Sequence, residues 1–247
     1  MTPTQQSYQQ IQTFGEWQQF LRQDWPDHYQ MTREVAALHW PTTMGYDQLG
    51  NMQGIPEWDQ LFADITYDMV RESEDRHKDS AEVEQDRSVG YRLGFDKLNS
   101  VKGLEPITDA LGFASDTVDV TIHVQSPAQI CKLHMDNISS YFQLTPAIAD
   151  QFRNQPFDHR QRQPKDTPPL YRMFVALADW DMGHAWQFGD HTWSHWRRGD
   201  VVNFEWRAVP HGTCNFGWTP RPMLRITGFL QDPSVADLRN HQWHISL

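Results

Sequence analysis

The chain has 247 residues, with 32 acidic against 21 basic side chains and a formal net charge of −11. That length suits one substantial domain with an appended subdomain, and the acidic balance argues against a nucleic-acid partner, which is held by Lys and Arg neutralising phosphates. The polar start Met1 to Ser7 is no signal peptide and no apolar run has membrane-spanning length, so the expectation is a cytoplasmic protein without a membrane partner, its oligomeric state open.

Trp17, Phe20, Leu21 and Trp25 fall at i, i+3, i+4 and i+8, the spacing of one helical face. Pro56-Glu57-Trp58 opens a second helix, with Pro in its first turn and a stripe of Leu61, Phe62, Ile65 and Met69. Pro41, Gly45, Gly50, Gly54 and Pro56 punctuate a loop between the two. Residues 1–105 therefore read as a helical region packed on a core that occupies 106–232, with 233–247 as a C-terminal tail.

Leu104 to Leu111 reads as a helix within this passage. Thr117 to Gln125 alternates as a strand, with Val118, Val120 and Ile122 on one face and Asp119, Thr121 and His123 on the other. Further strand-like runs lie at Cys131 to Ser139, Arg172 to Ala178, His184 to Phe188, Asp200 to Trp206 and Met223 to Leu230, separated by Gly, Pro and Asp. Strands at this cadence suit two packed antiparallel sheets, a double-stranded β-helix or jelly roll whose interior holds a site. The expected class is mainly β with α. Gln155 to Pro169, rich in Gln, Arg and Pro, reads as a mobile insertion able to cover the mouth.

Chemistry concentrates at His134-Met135-Asp136. On a strand, residues i and i+2 point to one side, so His134 and Asp136 converge while Leu133 and Met135 turn away. His211, in a Pro-His-Gly turn, would join them from a neighbouring strand. Two His and one carboxylate on one face of a metal, with the opposite positions open, is the arrangement of non-haem Fe(II) oxygenases. A second H-x-D, His77-Lys78-Asp79, lies in a charged run without apolar alternation and reads as a solvated segment. His184, His191 and His195 lack a carboxylate at i+2 and stay outside the expected metal shell.

From Tyr171 to Leu230 the chain resembles the C-terminal half of the Fe(II)/2-oxoglutarate-dependent dioxygenases, in the aspartyl/asparaginyl β-hydroxylase and prolyl-hydroxylase-like branch. The resemblance rests on Arg172 to Leu177, Asp181-Met182-Gly183, Trp196 to Phe204, Pro210-His211-Gly212-Thr213 and Arg221 to Thr227. It extends over roughly residues 117 to 230, and its core is cupin-like. It implies His134, Asp136 and His211 as iron ligands and Arg221, ten residues after His211, as the anchor for the far carboxylate of 2-oxoglutarate. Arg225 is the alternative anchor, because Arg221, Met223, Arg225 and Thr227 share one strand face. An Arg suits this role, since its planar fork grips a carboxylate with two hydrogen bonds and keeps its charge.

The implied activity is hydroxylation of an unactivated C–H bond in an amino acid, a peptidyl side chain or a small polar metabolite, with 2-oxoglutarate and O2 converted to succinate and CO2. Asp136 stands where halogenating relatives carry Gly or Ala, which points away from halogenation. Asn137, Tyr141, Arg172, Trp186 and Gln187 are placed near the mouth. Alternatives are a cupin-type metalloenzyme that does not use 2-oxoglutarate and a non-catalytic metal-binding β-module. The two cysteines, Cys131 and Cys214, form no C-x-x-C pair, and they read as small buried residues.

Overall fold

A computed structural model describes residues 12–13, 15–16, 45–58, 60, 89–94, 104–134, 146–158, 163–165, 167–206 and 209–245. Both expected N-terminal helical stripes fall largely outside these residues, as do His77 to Asp79, Asp136, Asn137 and Tyr141.

The alternating runs form strands. In chain order these are β1 (Asp47–Gln53), β2 (Val89–Gly94), β3 (Asp119–Gln125), β4 (Ile130–His134), β5 (Phe157–Asp158), β6 (Gln163–Pro164), β7 (Leu170–Ala176), β8 (His184–Phe188), β9 (His191–Trp193), β10 (Asp200–Asn203), β11 (His211–Asn215), β12 (Arg221–Phe229) and β13 (His241–His244). Helix α1 (Leu104–Ala110) precedes β3, and α2 (Pro146–Phe152) lies between β4 and β5. Among the described residues no helix is long and apolar enough to cross a membrane.

Seven strands form one sheet in the order β13-β1-β10-β7-β12-β3-β2, and four form a second in the order β4-β11-β8-β9. From β3 to β4 and from β7 to β12 the chain winds between the two layers. β3, β12, β7 and β10 lie side by side in the large sheet, and β4, β11, β8 and β9 in the small one. This interleaving is a double-stranded β-helix, as the strand cadence predicts.

Two apolar layers hold it together. One lies between the sheets, where Phe174, Ala176, Val202 and Met223 meet Trp186, Phe188 and Trp193. The other covers the outer face of the large sheet, where Leu104, Ile107 and Leu111 pack on Val118, Val120, Ile122, Val175, Leu224 and Ile226. The alternation of β3, β7 and β12 is thus used on both faces, as in a sheet buried on each side.

Two readings are corrected. The Gly45 to Pro56 stretch holds β1 where a loop was expected, and the 233–247 tail contributes β13, which runs parallel to β1. Gly50 is there to let β13 approach, since a Cβ at this position would lie 2.0 Å from the His241 carbonyl oxygen. The Gln155 to Pro169 insertion carries the short β5–β6 hairpin, with Phe157 in the inner core.

Candidate functional site

The site is built from facing rows on the inner walls. Across β3, β12 and β7 the backbone register pairs Gln125 with Arg221, then His123 with Met223 and Ala176, then Thr121 with Arg225 and Phe174, and last Asp119 with Thr227 and Arg172. Successive rows are about 7 Å apart, the two-residue repeat of a strand. The Asp119, Thr121, Gln125 face of β3 is buried, although its polarity suggests solvent. This face was passed over in the sequence; its signal was an uninterrupted polar alternation opposite an arginine-bearing strand.

On the opposite wall, β11 lies between β4 and β8, and His211 stands directly across from His134. The alignment depends on a bulge. Thr213 pairs with Cys131 and His211 with His134, so β4 advances three residues where β11 advances two. Cys131 therefore shares the register parity of His134, in contrast to the strict alternation expected of this strand. Gly212 makes room for the bulge, since a Cβ there would lie 2.9 Å from the Cys131 carbonyl oxygen and 3.1 Å from Leu133 Cα.

His211 is buried, with its ring edge-to-face against Phe204 at 4.8 Å. Its Nδ1 is 2.9 Å from the Val209 carbonyl oxygen. A carbonyl only accepts, so Nδ1 carries the proton and Nε2 is the lone-pair nitrogen suited to a metal. A second histidine opposite in register fits a metal centre, with Asp136 two residues past His134 in the sequence. Among the described residues there is no group of three His, Cys, Asp or Glu able to hold an ion.

Arg221 and Arg225, indistinguishable by spacing, differ in surroundings. Arg225 lies 3.5 Å from the Asp119 carboxylate, and its Nη2 donates to Thr121 Oγ1 at 2.9 Å. Arg221 is 2 % exposed and faces no carboxylate among the described residues. Its Nε donates to Gln125 Oε1 at 2.9 Å, while its buried Nη1 meets no hydrogen-bond partner among the described residues. Burial without a countercharge lowers its pKa to about 10.

Two further partnerless buried polar atoms belong to this neighbourhood. Trp186, whose ring centroid is 5.2 Å from Arg221 Cζ, has an Nε1, and Thr213, cross-strand neighbour of Trp186, an Oγ1, that meet no hydrogen-bond partner among the described residues. Buried donors left unmet at a fixed guanidinium form a socket for an anion. A carboxylate fits this donor set.

The remaining candidates separate clearly. Arg172 is buried on the inner wall, its Nε bonded to Thr227 Oγ1 at 2.9 Å and its Cζ 3.8 Å from the Trp206 ring centroid. Gln187 turns outward, bonding Gly189 and Thr192. His184 is a brace between two turns, accepting from the Asp181 N–H and donating from Nε2 to the Thr219 carbonyl. His191 pairs with Asp190, and His195 stacks on Trp180 at 4.1 Å. Cys131 and Cys214 are half-buried and outside any disulfide, and burial pushes the Cys214 thiol up.

No protein-family model matches the chain, and no curated protein matches it in sequence. Solved structures similar to it include the non-heme monooxygenase ThoJ as a nickel complex, at 15% identity and TM-score 0.43, covering 76% of this chain and 74% of that one. A variant of the salicylate 1,2-dioxygenase from Pseudoaminobacter salicylatoxidans is similar at 10% identity and TM-score 0.34, over 70% of this chain and 35% of that one. A cupin 2 conserved barrel domain protein from Salinispora arenicola is similar at 11% identity and TM-score 0.26, over 49% and 68%. The class of this chain, a double-stranded β-helix protein, rests on its own strand order.

Proposed function

We propose that the chain is an Fe(II)/2-oxoglutarate-dependent dioxygenase that hydroxylates an unactivated C–H bond of an amino acid, a peptidyl side chain or a small polar metabolite. The observation that carries this reading is the buried guanidinium of Arg221, without a carboxylate among the described residues, on the inner wall of a barrel whose other wall sets His134 opposite His211. His134, Asp136 and His211 would hold Fe(II), and Arg221 the far carboxylate of 2-oxoglutarate. The iron supplies the activation of O2 that no side chain performs.

The chain contributes position and protonation. The Val209 carbonyl keeps the proton on Nδ1 of His211, and the Phe204 edge holds the ring. Gln125 holds Arg221 through Nε, leaving the Nη side of the fork for a carboxylate, with the Trp186 and Thr213 donors beside it. The aromatic layer of Phe174, Trp186, Phe188 and Phe204 keeps water from the interior and strengthens each charge contact there.

The test is an anaerobic titration of Fe(II)-loaded protein with 2-oxoglutarate, read as the weak visible charge-transfer band of the chelate. The band is expected in the wild type and absent from the His134→Ala/Asp136→Ala double variant. Its absence in the wild type, or survival in the variant, overturns the reading. Succinate release under O2 then tests turnover.

A further inference from the structure

Arg221 and Gln125 stand directly across from each other, the first residue of β12 against the last of β3. Gln125 is 0 % exposed, and both ends of its amide are engaged. Its Oε1 accepts from Arg221 Nε at 2.9 Å, and its Nε2 donates to the Thr213 carbonyl at 3.4 Å. A guanidinium only donates and a carbonyl only accepts, so the amide has one orientation. The backbone is held as well, because the buried Asn215 donates from Nδ2 to the Gln125 carbonyl at 2.9 Å. The side chain thus reaches from β3 and β12 in the large sheet to β11 in the small one.

An interior cation is ordinarily matched by a carboxylate. The titratable groups that act on Arg221 are the Cys131 and Cys214 thiols and the His184 imidazole, on β4, β11 and β8, and among the described residues no carboxylate joins them. Nearest its Nε stands the neutral isostere of glutamate. A Glu at this position would keep the acceptor for Nε and make that bond charge-assisted. The contact it would lose, to the Thr213 carbonyl, is the longer of the two. For holding the fold a Glu is therefore the stronger partner, and what it would cancel is the open charge.

That open charge lies among donors still waiting for an acceptor. Arg221 Nη1, Trp186 Nε1 and Thr213 Oγ1 are buried and meet no partner among the described residues. Thr213 contributes twice, its carbonyl fixing the Gln125 amide and its hydroxyl remaining for a ligand.

We infer that Gln125 is a positioning residue that sets the charge specificity of the Arg221 socket: a neutral tether, it fixes the fork at Nε and leaves one positive charge for the ionised end of an acid. An amide or ester at that end of the ligand forfeits the charge pairing. Naming the acid as 2-oxoglutarate rests on the dioxygenase reading. The socket and its tether stand on Gln125, Arg221, Trp186 and Thr213.

The test is anaerobic calorimetry of 2-oxoglutarate into the Fe(II)-loaded full chain, for the wild type, Gln125→Met and Gln125→Glu, with the visible chelate band followed in parallel. Met has the length of Gln without its hydrogen bonds, so it loosens the fork and keeps the charge. Affinity is expected to fall about tenfold, as for one lost hydrogen bond to a charged group. Glu keeps the bond at Nε and supplies a countercharge, so the incoming carboxylate meets a like charge and affinity is expected to fall roughly a hundredfold or more. Ligand-free thermal melts should run the other way, with Glu the more stable of the two variants. A tether that serves only the fold predicts one order for both readouts, Glu nearer the wild type than Met.

Binding by the Glu variant that equals or exceeds that of the Met variant overturns the proposal, as does a wild type that takes up no 2-oxoglutarate. If Gln125→Glu does not fold, the Met variant carries the test: a tenfold loss with 2-oxoglutarate still preferred over its 5-methyl ester upholds the proposal, and wild-type affinity or no preference overturns it. If the expected order of affinities appears without a chelate band, the role of Gln125 is upheld and the dioxygenase reading fails. A band in the wild type with the order of the variants reversed does the opposite.

Discussion

The guanidinium of Arg221 stands over the indole of Trp186, Cζ 5.2 Å from the ring centroid, and each carries a buried N–H that meets no acceptor among the described residues. The cation is therefore dissatisfied until an anion arrives. Burial lowers its pKa to about 10, which corresponds to a cost on the order of 3 kcal/mol at neutral pH. Because the group is a base with a depressed pKa, that cost is full below about 10 and fades as the pH rises above that value. Arg221→Leu gives up the bond to Gln125, worth about 1 kcal/mol, yet should still raise ligand-free stability by about 1–3 kcal/mol. Added 2-oxoglutarate should raise the Tm of the wild type and leave that of the variant unchanged. Urea unfolding and thermal melts measure both; a variant less stable than the wild type would contradict the argument.

A pH effect follows from His184. Burial holds its pKa below the ordinary 6.5, outweighing the pull of the Thr219 hydrogen bond, with Arg221 adding in the same direction. The unfolded chain thus takes up the proton first. Its contribution to stability is complete above about pH 6.5 and is lost as the pH falls below that value. Denaturant midpoints compared at pH 7.5 and 5.5 should fall in the wild type and change less in His184→Gln, whose amide can still donate to the Thr219 carbonyl. Equal pH slopes in the two proteins would remove His184 as the cause.

Gly212 is where the backbone leaves no room. Gly212→Ala should cost about 1–3 kcal/mol through the contact with the Cys131 carbonyl. It should also weaken Fe(II) binding, because relief of the clash disturbs the bulge that sets His134 opposite His211. Chemical unfolding gives the first quantity and metal titration the second; unchanged metal affinity would mean the bulge does not position the pair.

Phe204 holds the His211 ring from one side and joins the inner core. Phe204→Ala should destabilise by about 3–5 kcal/mol, whereas Phe204→Leu should restore most of the stability and still lower metal affinity, since it lacks the aromatic edge seen against His211. A Leu variant with wild-type affinity would reduce Phe204 to a packing residue.

What could be read from the sequence depended on the kind of signal. β3, β8 and β12 were legible because they alternate cleanly, and the apolar alternation before His134 placed it on a strand, which the register sets beside His211 on the neighbouring one. Arg221 and Arg225 were inseparable by spacing; only the Asp119 carboxylate, brought in by β3, distinguishes them. β1 was hidden because Gly50 and Gly54 read as turn residues, although Gly50 serves close strand approach, a requirement set by β13 from the other end of the chain. β13 itself offers one apolar residue, Trp243, too little for a periodic signal.

The parallel pairing of β13 with β1 joins the two ends of the sequence along one sheet margin. Contacts between such distant positions form late, because the intervening chain must first be ordered. Until the last strand docks, β1 presents a bare row of amides and carbonyls open to pairing with another molecule. The closing strand therefore acts as a guard on the folding route, and its loss should appear first as clumping during refolding.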